Sequence, residues 1–189
     1  MIMSMYKKIC ITNRNLVHGD FLAKIEEVAR GNVDAIILRE KDLPKEEYLA
    51  LAKKVIPLCN KYGKLCILHQ FVDVARELKY DAIHLSYEAF LALDDETKKY
   101  FSIIGVSTHS VEEAIKCEEL GATYITASHI FPTDCKKDLA PRGLAYLREV
   151  RENVTIPVYA LGGIHPNNID LCIAEGADGV CMMSEYMKD

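Results

Sequence analysis

The 189-residue chain carries 23 Lys and Arg against 28 Asp and Glu, a net charge of −5, and half of its residues are apolar. That length supports one domain, 1–189, with a sizeable core and little room for a second. The acidic balance argues against nucleic acid as a partner, and no apolar run approaches the ~20 residues that cross a bilayer, which argues against a membrane protein.

The first strand is predicted over 7–12 (KKICIT), with Asn13 and Arg14 just after it. The second, 34–38 (DAIIL), leads into Arg39-Glu40-Lys41. A helix is predicted over 44–62. Leu49, Ala52, Ile56 and Cys59 share one face of it, and Pro44 suits its first turn. The third strand, 65–68 (LCIL), precedes His69-Gln70; the fourth, 82–85 (AIHL), holds His84 and precedes Ser86-Tyr87-Glu88. The fifth, 103–107 (IIGVS), ends in Ser107, with Thr108 and His109 beyond it. A helix over 110–120 opens on the capping-box pair Ser110 and Glu113 and stops at Gly121. The sixth strand, 124–127 (YITA), runs into Ser128-His129 and a long polar loop ending near Gly143. The seventh, 158–161 (VYAL), ends in Gly162-Gly163, and a helix over 167–175 leads to the eighth, 179–183 (GVCMM), and Ser184.

These strands are mostly continuous apolar runs, the pattern of parallel strands covered on both faces. A helix–glycine–strand joint recurs in RGNVDAI, LGATYI and EGADGV. Eight such units predict a small (β/α)8 TIM barrel. The rival is an open doubly wound sheet. The count of eight and the polar residues after each strand favour the barrel, and no GxGxxG follows the first strand. Only 185–189 follow the last strand, so the final helix is truncated or absent. Either an apolar gap results or a second copy covers it in a homodimer. Seven cysteines form no CxxC pair, and the N-terminus shows no signal-peptide pattern; both fit a reduced, cytoplasmic protein with buried thiols.

In such a barrel the chemistry sits at the C-terminal strand ends. There the residues are polar and partly basic, which suggests an anionic ligand. Gly162-Gly163 allows backbone N–H groups to approach an oxygen closely, and loops after strands seven and eight are the usual phosphate site, with Ser184 completing the cradle. Arg39 and Lys41 point to one side if the strand continues. His69, His109 and His129 sit at strand ends, where an imidazole can transfer protons. His84, inside a strand, reads as a hydrogen-bonded wall residue. No metal-ligand spacing is present.

The stretches LREK, IHLSYE, IIGVSTHSVEEA, IFPTDCKK and YALGGIHPNN…GADGVCMMS resemble the thiamine phosphate synthase/TenI superfamily, in order across nearly the whole chain. The resemblance implies a barrel that binds a thiazole phosphate. Thr133, Gly162, Gly163 and Ser184 would hold the phosphate, with Lys136 and Ser107 nearby; the position of His69 alone suggests that it faces the ligand carboxylate. It also exposes departures. Gln70 and Ala89 stand where the synthase branch has acidic residues for Mg²⁺, and Ser128-His129 replaces a Gly-Pro pair. These departures resemble the TenI branch of thiazole tautomerases. The expectation is therefore a cofactor-free isomerase with His129 as acid/base. Arg39 and Lys41 match the synthase grip on pyrophosphate, so a Mg²⁺-dependent thiamine phosphate synthase is the alternative. A non-catalytic regulator that binds thiazole or thiamine phosphate is the third reading.

Overall fold

The computed structural model describes residues 6–133 and 138–188. Eight strands close into a barrel in sequence order: β1 (Lys7–Ile11), β2 (Ala35–Leu38), β3 (Leu65–His69), β4 (Ala82–Ser86), β5 (Ile103–Thr108), β6 (Tyr124–Ser128), β7 (Val158–Leu161) and β8 (Gly179–Met182). Every neighbouring pair is parallel, and β8 closes the barrel on β1 through Ile9 opposite Cys181. The pleat divides each apolar run between two cores. Ile9, Ile11, Ala35, Ile37, Ile67, Tyr124 and Cys181 fill the barrel interior. Their alternates, among them Cys10, Ile36, Leu38, Ile83, Val106 and Ile125, pack outward against the helices. That double burial is why the runs carry no polar alternation.

The helices are α1 (Phe21–Arg30), α2 (Lys45–Lys61), α3 (Val72–Glu77), α4 (Tyr87–Leu91), α5 (Asp95–Tyr100), α6 (Val111–Glu119), α7 (Gly143–Asn153), α8 (Ile169–Ala174) and α9 (Ser184–Met187). Pro44 caps α2 from outside rather than sitting in its first turn. The α6 start departs from an ideal capping box by one residue. Ser110 Oγ accepts from Glu113 N, as expected, but the Glu113 carboxylate accepts from His109 N at 2.7 Å. The loop carrying His109 is thereby fixed. The β4–β5 connection holds two short helices, broken by the Asp94 cap, that the sequence reading did not separate. The truncated last helix is a single turn, α9, with Met187 buried against the core. No helix among the described residues is long and apolar enough to cross a membrane. The six described cysteines are buried free thiols.

Candidate functional site

A cavity of about 970 Å³ opens at the C-terminal end of the barrel. The same two-residue period that fills the interior also builds its wall. Ile11 is followed inward by Asn13, Ile37 by Arg39 and Lys41, and Ile67 by His69. On the other strands the parity brings His84 and Ser86, Ser107 and His109, Ser128, and Leu161 and Gly163 to the wall. These residues are the upward continuation of the interior rows, whereas His129, Gly162 and Ser184 reach the wall off that period.

Buried anchors hold the β1–β3 side. Glu40 is 1% exposed and points away from the cavity. Its carboxylate accepts from Thr12 Oγ1 at 2.7 Å, from Arg14 N at 3.1 Å and from the Arg14 guanidinium at 3.1 Å. Thr12 Oγ1 in turn accepts from Arg39 N at 2.9 Å. Asp42 grips the outer face of Arg14 at 2.6 Å, and this holds the Asp42 carboxyl down at about 2. The alternation Arg39-Glu40-Lys41 is thus an inward–outward–inward clamp. Tyr48 of α2 joins the next two strands: its hydroxyl donates to Leu38 O at 2.7 Å and accepts from His69 N at 2.8 Å.

The floor is histidine-rich. His69 and His84 stack with centroids 5.9 Å apart. Burial pushes His69 down to about 2, helped by His84, Lys41 and Arg39. Burial likewise pushes His84 down to about 3, with Lys41 and Arg39 adding to it. Both rings are therefore neutral at ordinary pH. His69 so placed offers a hydrogen bond, not a positive charge for a carboxylate.

The opposite side is backbone. Gly162 and Gly163 have φ of 103° and 66°, and a Cβ on Gly163 would lie 2.3 Å from Pro132 O. Only glycine lets the β7 end pass under the loop after β6. Phe131 N donates to Gly162 O at 3.0 Å, and Asn168 Nδ2 donates to Gly163 O at 2.9 Å. His129 is 3% exposed, with Nε2 3.3 Å from Leu139 O. Arg142 N donates to His129 O at 2.9 Å, so the loop's return is tied to its start.

One cavity wall therefore includes Arg39, Lys41, His69, Ser107, His129, Thr133, Gly162, Gly163 and Ser184. Lys136 lies outside the described residues. His84 is the hydrogen-bonded wall residue expected, and Asn13 and Ser86 line the wall from the strand ends where the sequence places them; Met183 was passed over, although strand parity carried its signal.

Fold and site define a (β/α)8 barrel with cationic side chains and a glycine-lined loop around one cavity, the arrangement of a phosphate-ester enzyme. Residues 9–186 match the family model TMP-TENI, described as thiamine monophosphate synthase. The chain is 37% identical over 186 residues to the putative thiamine-phosphate synthase 2 of Aquifex aeolicus, covering 98% of this chain and 100% of that one. It is 38% identical over 190 residues to the thiamine-phosphate synthase of Shouchella clausii, covering 98% and 90%. The thiamine phosphate pyrophosphorylase of Pyrococcus furiosus superposes with a TM-score of 0.81 at 30% identity, covering 97% and 94%. This chain belongs to the TMP-TENI family of thiamine-biosynthesis enzymes.

The isomerase expectation is corrected by these relatives. They are named as thiamine-phosphate synthases or a thiamine phosphate pyrophosphorylase over essentially the full chain, which is a transferase activity and not an isomerase one. The isomerase reading rested on a histidine at the β6 end. In the fold that imidazole lies in the cavity wall, with Nε2 3.3 Å from the Leu139 carbonyl of the returning loop.

The two positions where the resemblance implied Mg²⁺ carboxylates, 70 at the β3 end and 89 after β4, carry none. Gln70 is exposed and offers only an amide, and Ala89 in α4 offers a methyl group. Asp73 holds Lys45 at 3.4 Å, and Glu40 is engaged by Thr12 and Arg14. Among the described residues no group of three His, Cys, Asp or Glu side chains is placed to hold a metal ion.

Proposed function

We propose that this protein is a transferase of the thiamine-phosphate synthase type, joining a hydroxymethylpyrimidine pyrophosphate to a thiazole phosphate. The observation that supports it is the pair of anion stations on one cavity. Arg39 and Lys41 stand above β2; Gly162-Gly163, Thr133 and Ser184 stand above β6, β7 and β8. Condensing a pyrophosphate ester with a phosphate ester uses two stations. The cavity, about 970 Å³, lies at the upper end of the usual ~300–1,000 Å³ range for small-molecule sites, which suits two ligands.

In the transfer, a C–N bond to the thiazole nitrogen forms as the C–O bond to pyrophosphate breaks. Negative charge grows on the departing pyrophosphate. Fixed cations aimed at that charge stabilise the transition state without reorganising. Arg39 and Lys41 take this role, and the Glu40 clamp keeps them in place. The neutral floor, His69 and His84, receives an uncharged ring. No step is assigned to a metal.

The test is direct. The purified protein is incubated with both substrates, with and without added Mg²⁺, and thiamine phosphate and free pyrophosphate are measured. Equal amounts of both products are expected. No thiamine phosphate under either condition refutes the proposal.

A further inference from the structure

Across β4, β5 and β6, four side chains form one hydrogen-bonded row. Tyr124 Oη lies 2.8 Å from His84 Nδ1, and His84 Nε2 lies 2.8 Å from Ser107 Oγ. Thr126 Oγ1 donates to Ser107 Oγ at 3.4 Å. Ser107 and His84 face the cavity, whereas Tyr124 belongs to the apolar barrel interior below it.

Two proton arrangements exist for this row. In the first, Tyr124 O–H donates to Nδ1, and Nε2–H donates to Ser107. In the second, Nδ1–H points at the tyrosine oxygen, and the tyrosine proton needs another acceptor. Tyr124 is 5% exposed, and His84 Nδ1 is its hydroxyl's one hydrogen-bond partner among the described residues. A buried donor left unpaired keeps its full desolvation penalty. Complete pairing therefore selects the first arrangement. Ser107 Oγ then receives Nε2–H and the Thr126 hydroxyl, which fill its two lone pairs. Its own proton has one direction left, into the cavity.

We propose that Tyr124 is a positioning residue that fixes His84 as the Nε2–H tautomer and so aims the Ser107 hydroxyl proton at a hydrogen-bond acceptor on the bound ligand. Gly105 makes room for this. A Cβ there would lie 1.9 Å from Tyr124 Cζ and 2.2 Å from Tyr124 Oη. His84 stays uncharged because burial disfavours the imidazolium, so the row transmits orientation rather than charge. The floor then prefers a ring nitrogen or carbonyl oxygen to a donor group at the same place, since a donor would meet the serine proton. The ligand's identity rests on the transferase reading; the tautomer does not.

The first test is the ¹⁵N spectrum of the histidine side chains in ligand-free protein, with His84→Gln assigning the signals. A protonated Nε2 and a bare Nδ1 are expected for His84. A protonated Nδ1 overturns the proposal, whatever reaction the enzyme performs. The second test is Tyr124→Phe, read by the same spectrum and by calorimetric binding of thiamine phosphate. Loss of the single tautomer and about 3- to 10-fold weaker binding are expected, the scale of one hydrogen bond. An unchanged tautomer with unchanged affinity overturns it. Failure of the unaltered protein to bind thiamine phosphate counts against the transferase reading and leaves the spectrum to decide the tautomer.

Discussion

Glu40→Gln tests the clamp that carries the cationic station. The substitution keeps the volume but removes a charge that accepts from Thr12 Oγ1, Arg14 N and the Arg14 guanidinium. The amide nitrogen also brings a donor to a place surrounded by donors. Removing one member of a buried pair costs about 3–5 kcal/mol when the other charge is left alone. Arg14 is not left alone, because Asp42 still holds it at 2.6 Å. The lower end, about 3 kcal/mol, is therefore expected. For a domain of this size that corresponds to a fall of about 6–12 °C in melting temperature. Asp42→Asn is the control. It removes the exposed half of the network, and such pairs contribute about 0–1 kcal/mol. Differential scanning calorimetry reads both variants, and titration with inorganic pyrophosphate reads the station. Glu40→Gln should weaken pyrophosphate binding because Thr12, which holds Arg39 N, and Arg14 lose their common anchor. A Glu40→Gln protein that melts within about 1 °C of the parent, or loses no more than Asp42→Asn, would refute the reasoning.

Three further outcomes are expected. His69 and His84 resist protonation in the fold, at about 2 and 3, whereas an unfolded chain takes up protons near 6.5. The unfolded state thus binds more protons in this window, so stability is complete above about pH 6.5 and falls as pH drops towards the folded values. Each ring accounts for roughly 2 kcal/mol by pH 5, which urea unfolding at pH 7.5 and 5 would measure; His84→Gln should remove about one proton from the slope. Lys41→Met should weaken pyrophosphate binding by roughly 10- to 150-fold, the loss of a charged hydrogen-bond donor, and titration at fixed salt would show it. Gly163→Ala should destabilise by about 1–3 kcal/mol and weaken monophosphate binding, because its φ of 66° and the carbonyl of Pro132 both resist a side chain. Normal melting with normal phosphate affinity would count against the cradle.

Strand parity made much of the cavity legible. Ile37, Arg39 and Lys41 alternate in the sequence as they do in the wall, and so do His84 with Ser86 and Ser107 with His109. Gly162-Gly163 was legible because a left-handed backbone leaves a compositional mark. Other features left none. Nothing in the sequence marks Glu40, set between two cations, as buried; its burial depends on Thr12 and Arg14 arriving from β1. His129 was legible as a strand-end histidine; its contact with the carbonyl of Leu139, ten residues further along a folded-back loop, was not.

The sequence by itself determined the eight-unit alternation and the parallel sheet, because burial on both faces and repeated helix–strand joints are local patterns; its quoted motifs carried the resemblance to the family. Tertiary structure decided which polar residue is a wall, an anchor or a relay. The row from Tyr124 through His84 to Ser107 joins three strands, and its direction is set by what the buried tyrosine hydroxyl lacks on its other side. Such pairing is a property of proximity across the barrel, and proximity between positions 84, 107 and 124 exists only once the barrel has closed.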